Sequence, residues 1–200
     1  MNTLVCLTAA LLCLGLAQAA VVIRTGSCPV VHGQPTLDTE RYLGTWYEYQ
    51  RFPAVFEFAL DCTSAQYDLI EDGKISVLNN GTLRVTIFGQ TYVIRRSSAR
   101  GVATVPDPSK PAELSVSFGG YSATSDKANY FIQETDYDNY SVVFSCFQLP
   151  GFNIQFAWIL TRQRGIAPSN LQDLENNLRA AGVNTNPFFV VDQQGCEASH

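Results

Sequence analysis

From Arg41 to Arg162 the chain offers eight short β-favouring runs joined by turn signals, without a helix's apolar period. The first, Arg41–Phe52, is rich in aromatics and ends at Pro53, which cannot donate to a sheet ladder. Alternation places Trp46, Glu48 and Gln50 on one face and Tyr47 and Tyr49 on the other. Cys62–Ile70 follows, with Thr63, Ala65, Tyr67 and Leu69 sharing a face, and Asp72-Gly73 is a hairpin signal. Lys74–Leu78 and Leu83–Phe88 read as one long strand interrupted by a bulge at Asn79-Asn80-Gly81. Gly89-Gln90 turns the chain into Thr91–Val105, and a loop holds Pro106, Pro108 and Pro111. Glu113–Phe118, Asn129–Glu134, Tyr140–Phe147 and Asn153–Arg162 complete the set.

Helical periodicity appears once, over 168–182. Ser169-x-x-Gln172 is a capping-box pattern, Leu171, Leu174 and Leu178 share a face, and Gly182 is a C-terminal stop. Phe188–Asp192 reads as a last short strand. Consecutive antiparallel strands form either a sandwich or a closed up-and-down barrel, whose interior at eight strands holds one small ligand. Composition leaves both open.

Met1–Ala19 has an uncharged apolar core from Leu4 to Leu16 and ends in Ala17-Gln18-Ala19. It is too short to span a membrane, and this is the pattern of a signal peptide, residues 1–19. A secreted, extracellular protein is the expectation. Cys6 and Cys13 would leave with the peptide. The remaining residues, 20–200 and about 180 in all, suit one domain: an arm (20–40), the strands (41–162), the helix (168–182), and a C-terminal strand and tail (183–200). Cys28, Cys62, Cys146 and Cys196 imply two disulfides, with three pairings possible. Their spacing, with only His32 and His200 as histidines, argues against a metal site. A net charge of −5 with scattered signs argues against nucleic acid as a partner.

Three separated elements choose between the architectures. Gly44-Thr45-Trp46 opens the first strand, Thr135-Asp136-Tyr137-Asp138-Asn139-Tyr140 joins the sixth and seventh, and Arg162 closes the eighth. In an up-and-down barrel these meet at one end, where an Arg over the Trp face adds about 1 kcal/mol. With Gly44, Trp46, Thr135, Asp136, Tyr137 and Arg162 in this order, the chain resembles the lipocalin family over nearly its whole length after residue 19. Within the family it is similar to the apolipoprotein D branch and to arthropod bilin- and carotenoid-binding members. The matching segments are Arg41–Glu48, Cys62–Ile75, Thr135–Cys146 and Phe156–Arg162; Asn80–Val105, with Arg95, Arg96 and Arg100, departs.

The resemblance implies an all-β, eight-stranded antiparallel barrel with one C-terminal helix packed outside. It also implies Cys28–Cys146 and Cys62–Cys196 pairing, and a cavity for a small hydrophobic ligand contacted by Tyr67 and Trp158, with Phe118 and Tyr130 in similar positions. Parity adds a constraint: if Cys146 faces outward, Val143, Ser145 and Phe147 face inward. The expected function is apolipoprotein D-like binding and transport of a fatty acid, sterol, retinoid or pigment. No cofactor is required, although a bilin or carotenoid pigment is an alternative. An enzyme is not expected: no Ser/His/Asp set is evident, a reactive thiol needs an unpaired cysteine, and neither histidine lies in a strand to ligate haem.

The apolar loop Phe52–Leu60, beside Phe147–Phe152 at the open rim, either contacts a lipoprotein or membrane surface or lids the cavity. Asn80-Gly-Thr, read as a turn, is the expected glycan site; at Asn139-Tyr-Ser a glycan would compete with closed-end packing.

Overall fold

Asp38 decides where the first barrel strand begins. Its carboxylate accepts the Arg41 N–H and caps a single helical turn, α1 (Thr39–Tyr42). Arg41–Leu43 are therefore not strand; Gly44, at φ +91°, turns the chain into β2 (Gly44–Arg51). The computed structural model describes residues 21–119 and 126–196. The signal-peptide reading of 1–19, Cys6, Cys13 and His200 lie outside these residues.

The other strands are β1 (Val22–Thr25), β3 (Leu60–Leu69), β4 (Ile75–Ile87), β5 (Gln90–Thr104), β6 (Glu113–Phe118), β7 (Tyr130–Thr135), β8 (Tyr140–Leu149), β9 (Phe152–Thr161) and β10 (Phe189–Val190). Each of β2 to β9 pairs antiparallel with its successor, and β9 returns to β2, so eight strands close into a barrel with no free edge. β1 and β10 extend the sheet, on β9 and β2. The arm read as merely extended thus contains a strand, whereas the C-terminal strand shrinks to Phe189–Val190.

Several local expectations are corrected. A 3-10 turn over Glu71–Gly73 replaces the two-residue turn at Asp72-Gly73. Asn79-Asn80-Gly81 does not interrupt β4: Asn80 pairs with Ser64 and Ser98, and the extra residues lie in the neighbouring strands, between Asp61 and Ser64 of β3 opposite Gly81 and between Val93 and Arg95 of β5. Asn80 is accordingly mid-strand rather than at a turn. The β4–β5 turn is Phe88-Gly89, one residue early, both with positive φ (51° and 78°) as a twisted two-residue hairpin requires.

The most consequential shift is in β2. Glu48 opposes Leu160 and Gln50 opposes Ile159, so one extra residue is accommodated at Tyr49. Beyond it the alternation inverts, and Arg51, not Gln50, shares the inward face with Trp46 and Glu48.

Two apolar clusters follow from this parity. Trp46, Tyr67, Val143 and Leu160 pack inside the barrel, while Val142, Phe144 and Ile159 pack outside against α2 (Leu171–Ala180). Leu174 and Leu178 of α2 are fully buried, and Leu171 packs at the edge. The expected capping box is absent: Asn170 stands at the cap and its side chain makes no capping bond. Gly182, at φ +87°, does end the helix, with the Val183 N–H returning to the Leu178 carbonyl. Disulfides join Cys28 to Cys146 and Cys62 to Cys196. They close separations of 118 and 134 residues, each of which removes about 5 kcal/mol of unfolded-chain entropy in the loop model.

Candidate functional site

The barrel interior is assembled upward from its closed end. The Arg162 guanidinium lies 3.7 Å from the Trp46 ring centroid and donates to the carbonyls of Tyr137, Thr45, Arg41 and Tyr42 at 2.7–3.3 Å. Trp46 Nε1 donates to the Tyr42 carbonyl at 2.9 Å. Across the β7–β8 turn, Thr135 Oγ1 donates to the Tyr140 carbonyl (2.6 Å) and accepts from the Tyr137 N–H (3.0 Å). Asp136 Oδ1 accepts the N–H groups of Asn139 (2.8 Å) and Tyr140 (2.9 Å). Gly44 lies within reach of Arg162 Nη1. All six residues singled out for the closed end meet there. The Asn139 amide donates to Asp136 Oδ2 at 2.7 Å, which occupies the nitrogen a glycan would need.

Above this plug lies a layer of tyrosines. Tyr42 bonds Ser141 Oγ at 3.0 Å, and burial pushes its phenol up to about 12. The Tyr67 and Tyr130 hydroxyls bond each other at 2.7 Å, and burial raises both well above 10.0. Val143 is buried in the packed core beneath the cavity.

A cavity of about 200 Å3 opens over these rings, lined by Tyr67, Tyr130, Ser145, Phe156, Trp158 and Phe118 among others. Phe156 and Trp158 stack at 6.1 Å between centroids, 20° apart, and Trp158 also faces Tyr130 at 6.2 Å. A side lobe of about 290 Å3 shares Phe56, Glu57, Asn79 and Phe118 with it. Phe118 stands half-exposed at the mouth. Phe147 does not line either space and is 60% exposed, because β8 has no β7 partner beyond Phe144 and its last residues form an outlying hairpin with β9.

The sequence reading missed the charges in this wall. Glu48, Arg51 and Glu57 are all buried. Arg51 Nη1 donates to Glu48 Oε2 (2.8 Å), and its Nη2 donates to the carbonyls of Glu57 (2.8 Å) and Leu60 (3.0 Å), pinning the β2–β3 loop. Thr63 Oγ1 donates to Glu48 Oε2 at 2.7 Å, and Trp158 Nε1 reaches Glu57 Oε2 at 3.4 Å. Burial first, then the Glu48 carboxylate, push Glu57 well above the usual 4.5 against the pull of Arg51. A signal was available: Glu48 shares Trp46's face, so a carboxylate had to enter the barrel. Phe156, two residues before Trp158 on the same strand, was legible by the same parity. Among the described residues no cluster of His, Cys, Asp and Glu is arranged to hold a metal.

The loop expected to expose Phe52–Leu60 does so only at its centre. Phe52 is buried against Phe188 at 4.7 Å and Leu60 is buried, whereas Val55, Phe56 and Phe58 are 67%, 57% and 51% exposed.

A family model, the Lipocalin-like domain, matches residues 37–193. The chain belongs to the lipocalin family. Mouse apolipoprotein D is 34% identical to this lipocalin over 179 residues, covering 86% of this chain and 85% of that protein. Apocrustacyanin C2 superposes with a TM-score of 0.67 at 20% identity, over 86% of this chain and 92% of its own. Insecticyanin from the tobacco hornworm Manduca sexta does so at 0.66 and 20%, over 88% and 91%. These two likenesses are of fold. Lipocalins are binders of small hydrophobic ligands, and an aromatic cavity above a polar-braced plug suits that chemistry.

Proposed function

We propose that this lipocalin is a secreted carrier of one small lipophilic molecule (a sterol, retinoid or fatty acid), with Tyr67, Trp158, Tyr130, Phe118 and Ser145 as contacts. The supporting observation is the largely apolar cavity between the Tyr67–Tyr130 pair and the Phe156–Trp158 stack. Burying apolar ligand surface at about 25 cal/mol per Å2 supplies the affinity, less the cost of ordering the ligand. The disulfides and the apolar leader favour secretion. Carriage rather than catalysis is favoured because Cys28, Cys62, Cys146 and Cys196 are all bonded, leaving none of them as a thiolate nucleophile. Extraction of the natively produced protein and mass spectrometry of the extract test the reading. One stoichiometric lipophile is expected, and loss of its rebinding in the double variant Tyr67→Ala, Trp158→Ala; unchanged rebinding would refute the pocket.

A bilin or carotenoid is the second reading. Its support is the near-parallel Phe156 and Trp158 rings, which suit a flat conjugated ligand. A visible absorption band in the native protein distinguishes it from a colourless lipid.

The rim supports a further part of the proposal, contact with a lipoprotein or membrane surface through the centre of the Phe52–Leu60 loop. Val55, Phe56 and Phe58 are exposed there, with Phe147 and Phe152 on the β8–β9 hairpin. Liposome co-flotation of wild type and Phe56→Ser tests it: reduced partitioning of the variant is expected, and equal partitioning excludes insertion by Phe56. A glycan on Asn80 would sit on β4, and a glycosidase-sensitive mass shift lost in Asn80→Gln is the expected result.

A further inference from the structure

The polar groups of the cavity wall are out of balance. Two carboxylates, Glu48 and Glu57, share one buried guanidinium, Arg51. Arg51 has little left to give: Nη1 serves Glu48 Oε2 (2.8 Å) and Thr63 Oγ1 (3.4 Å), and Nη2 serves two loop carbonyls. Its Nε makes no hydrogen bond and stands 3.6 Å from Glu57 Oε2. Apart from the Glu48 carboxyl and Arg51 Nε beside it, the Glu57 carboxyl takes the long 3.4 Å contact from Trp158 Nε1, although a carboxyl group accepts several bonds.

A second acceptor lines the same two spaces. Asn79 lines both lobes of the cavity, as Glu57 does, and its Oδ1 is buried with no donor. The Tyr67 and Tyr130 hydroxyls bond each other, and neither donates to Asn79 Oδ1. A buried acceptor without a donor costs about 1–3 kcal/mol, and an additional anion would enter a low-dielectric wall where Glu48 and Glu57 already share the single guanidinium of Arg51. A ligand bringing an N–H or O–H relieves the first cost, and a ligand bringing a carboxylate adds the second.

Resting on the carrier reading above, we propose that Glu57 and Asn79 form a head-group subsite that takes a lipophile ending in a hydrogen-bond donor, a hydroxyl or an ammonium, and rejects a carboxylate. This narrows the ligand class: alcohols of the sterol or retinol kind and long-chain amines fit, and free fatty acids do not.

A chain-matched series isolates the head group. Dodecanol, dodecylamine and dodecanoate compete with a fluorescent apolar dye for the full mature protein at about pH 7. The alcohol and amine are expected to bind at least about ten-fold more tightly than the acid, the scale on which a polar site discriminates. In Glu57→Gln the gap is expected to close to about three-fold, with dodecanoate gaining affinity. Dodecanoate binding as well as the other two in wild type overturns the subsite and leaves the carrier reading standing. Failure of all three to bind overturns both. The wild-type order alone decides the matter if Glu57→Gln does not fold.

Discussion

The guanidinium of Arg162 sits 3.7 Å above the ring of Trp46 while bonding four carbonyls from the β2 approach and the β7–β8 turn. One side chain thereby ties the end of β9 to the β7–β8 turn 25 positions earlier and to the β2 approach more than a hundred positions earlier. Arg162→Ala would orphan those carbonyls and remove the stacking, at about 2–4 kcal/mol. Arg162→Lys should recover only a minor share, because an ammonium lacks the planar fork. Urea unfolding of the two variants measures the difference, and a lysine variant as stable as wild type would refute the geometric account.

The buried acid Glu57 makes stability depend on pH in a definite direction. Its folded-state pKa lies well above 4.5 because of burial and Glu48. A carboxyl raised in this way contributes stability that is complete below about 4.5 and is lost as pH rises through the folded value. The groups facing it are Glu48 and Arg51 on β2 and Trp158 on β9. Glu57→Gln keeps the shape without the charge, so the variant should match wild type near pH 4 and exceed it by about 1 kcal/mol or more near pH 8. Thermal melts across that range test this, and a variant less stable throughout would mean that Glu57 serves chiefly as a counter-charge to Arg51.

At the β7–β8 turn, Asp136 behaves like a helix cap without a helix. Burial raises its pKa, yet the Tyr140 and Asn139 backbone N–H groups and the Asn139 amide outweigh this and hold it below 3.8. Stability from this group is present above 3.8 and falls away as the pH drops through the depressed value. Asp136→Ala should cost about 1 kcal/mol at neutral pH, the size of a lost cap, and less in acid.

Gly101 controls the cavity mouth. A Cβ there would stand 2.4 Å from the Ser117 carbonyl oxygen and 2.8 Å from the Phe118 ring, too close without moving β6. Gly101→Ala should destabilise by about 1–3 kcal/mol and shift Phe118. Chemical-shift changes confined to β5, β6 and the cavity wall are the expected signature.

The barrel was legible because alternation and turn chemistry are local: Glu113–Phe118 has the same bounds in sequence and structure, and β8 and β9 differ only at their ends. The closed-end residues were legible because topology alone brings Trp46, Asp136 and Arg162 together. Tyr67 and Trp158 followed from resemblance, and parity carried Ser145 to the cavity wall. It failed for Phe147, where the inward side of β8 opens onto solvent once β7 has ended.

What the sequence determined by itself was the order of strands, the faces of their regular stretches, and the side chains that plug one end. Only the tertiary structure decided the charge inside. The extra residue at Tyr49 inverts β2, and no local propensity marks it, because a bulge is set by how β2 must register with both β3 and β9 to close the ring. That closure turns Arg51 inward to meet Glu48 and Glu57, and so gives an aromatic cavity its acidic wall.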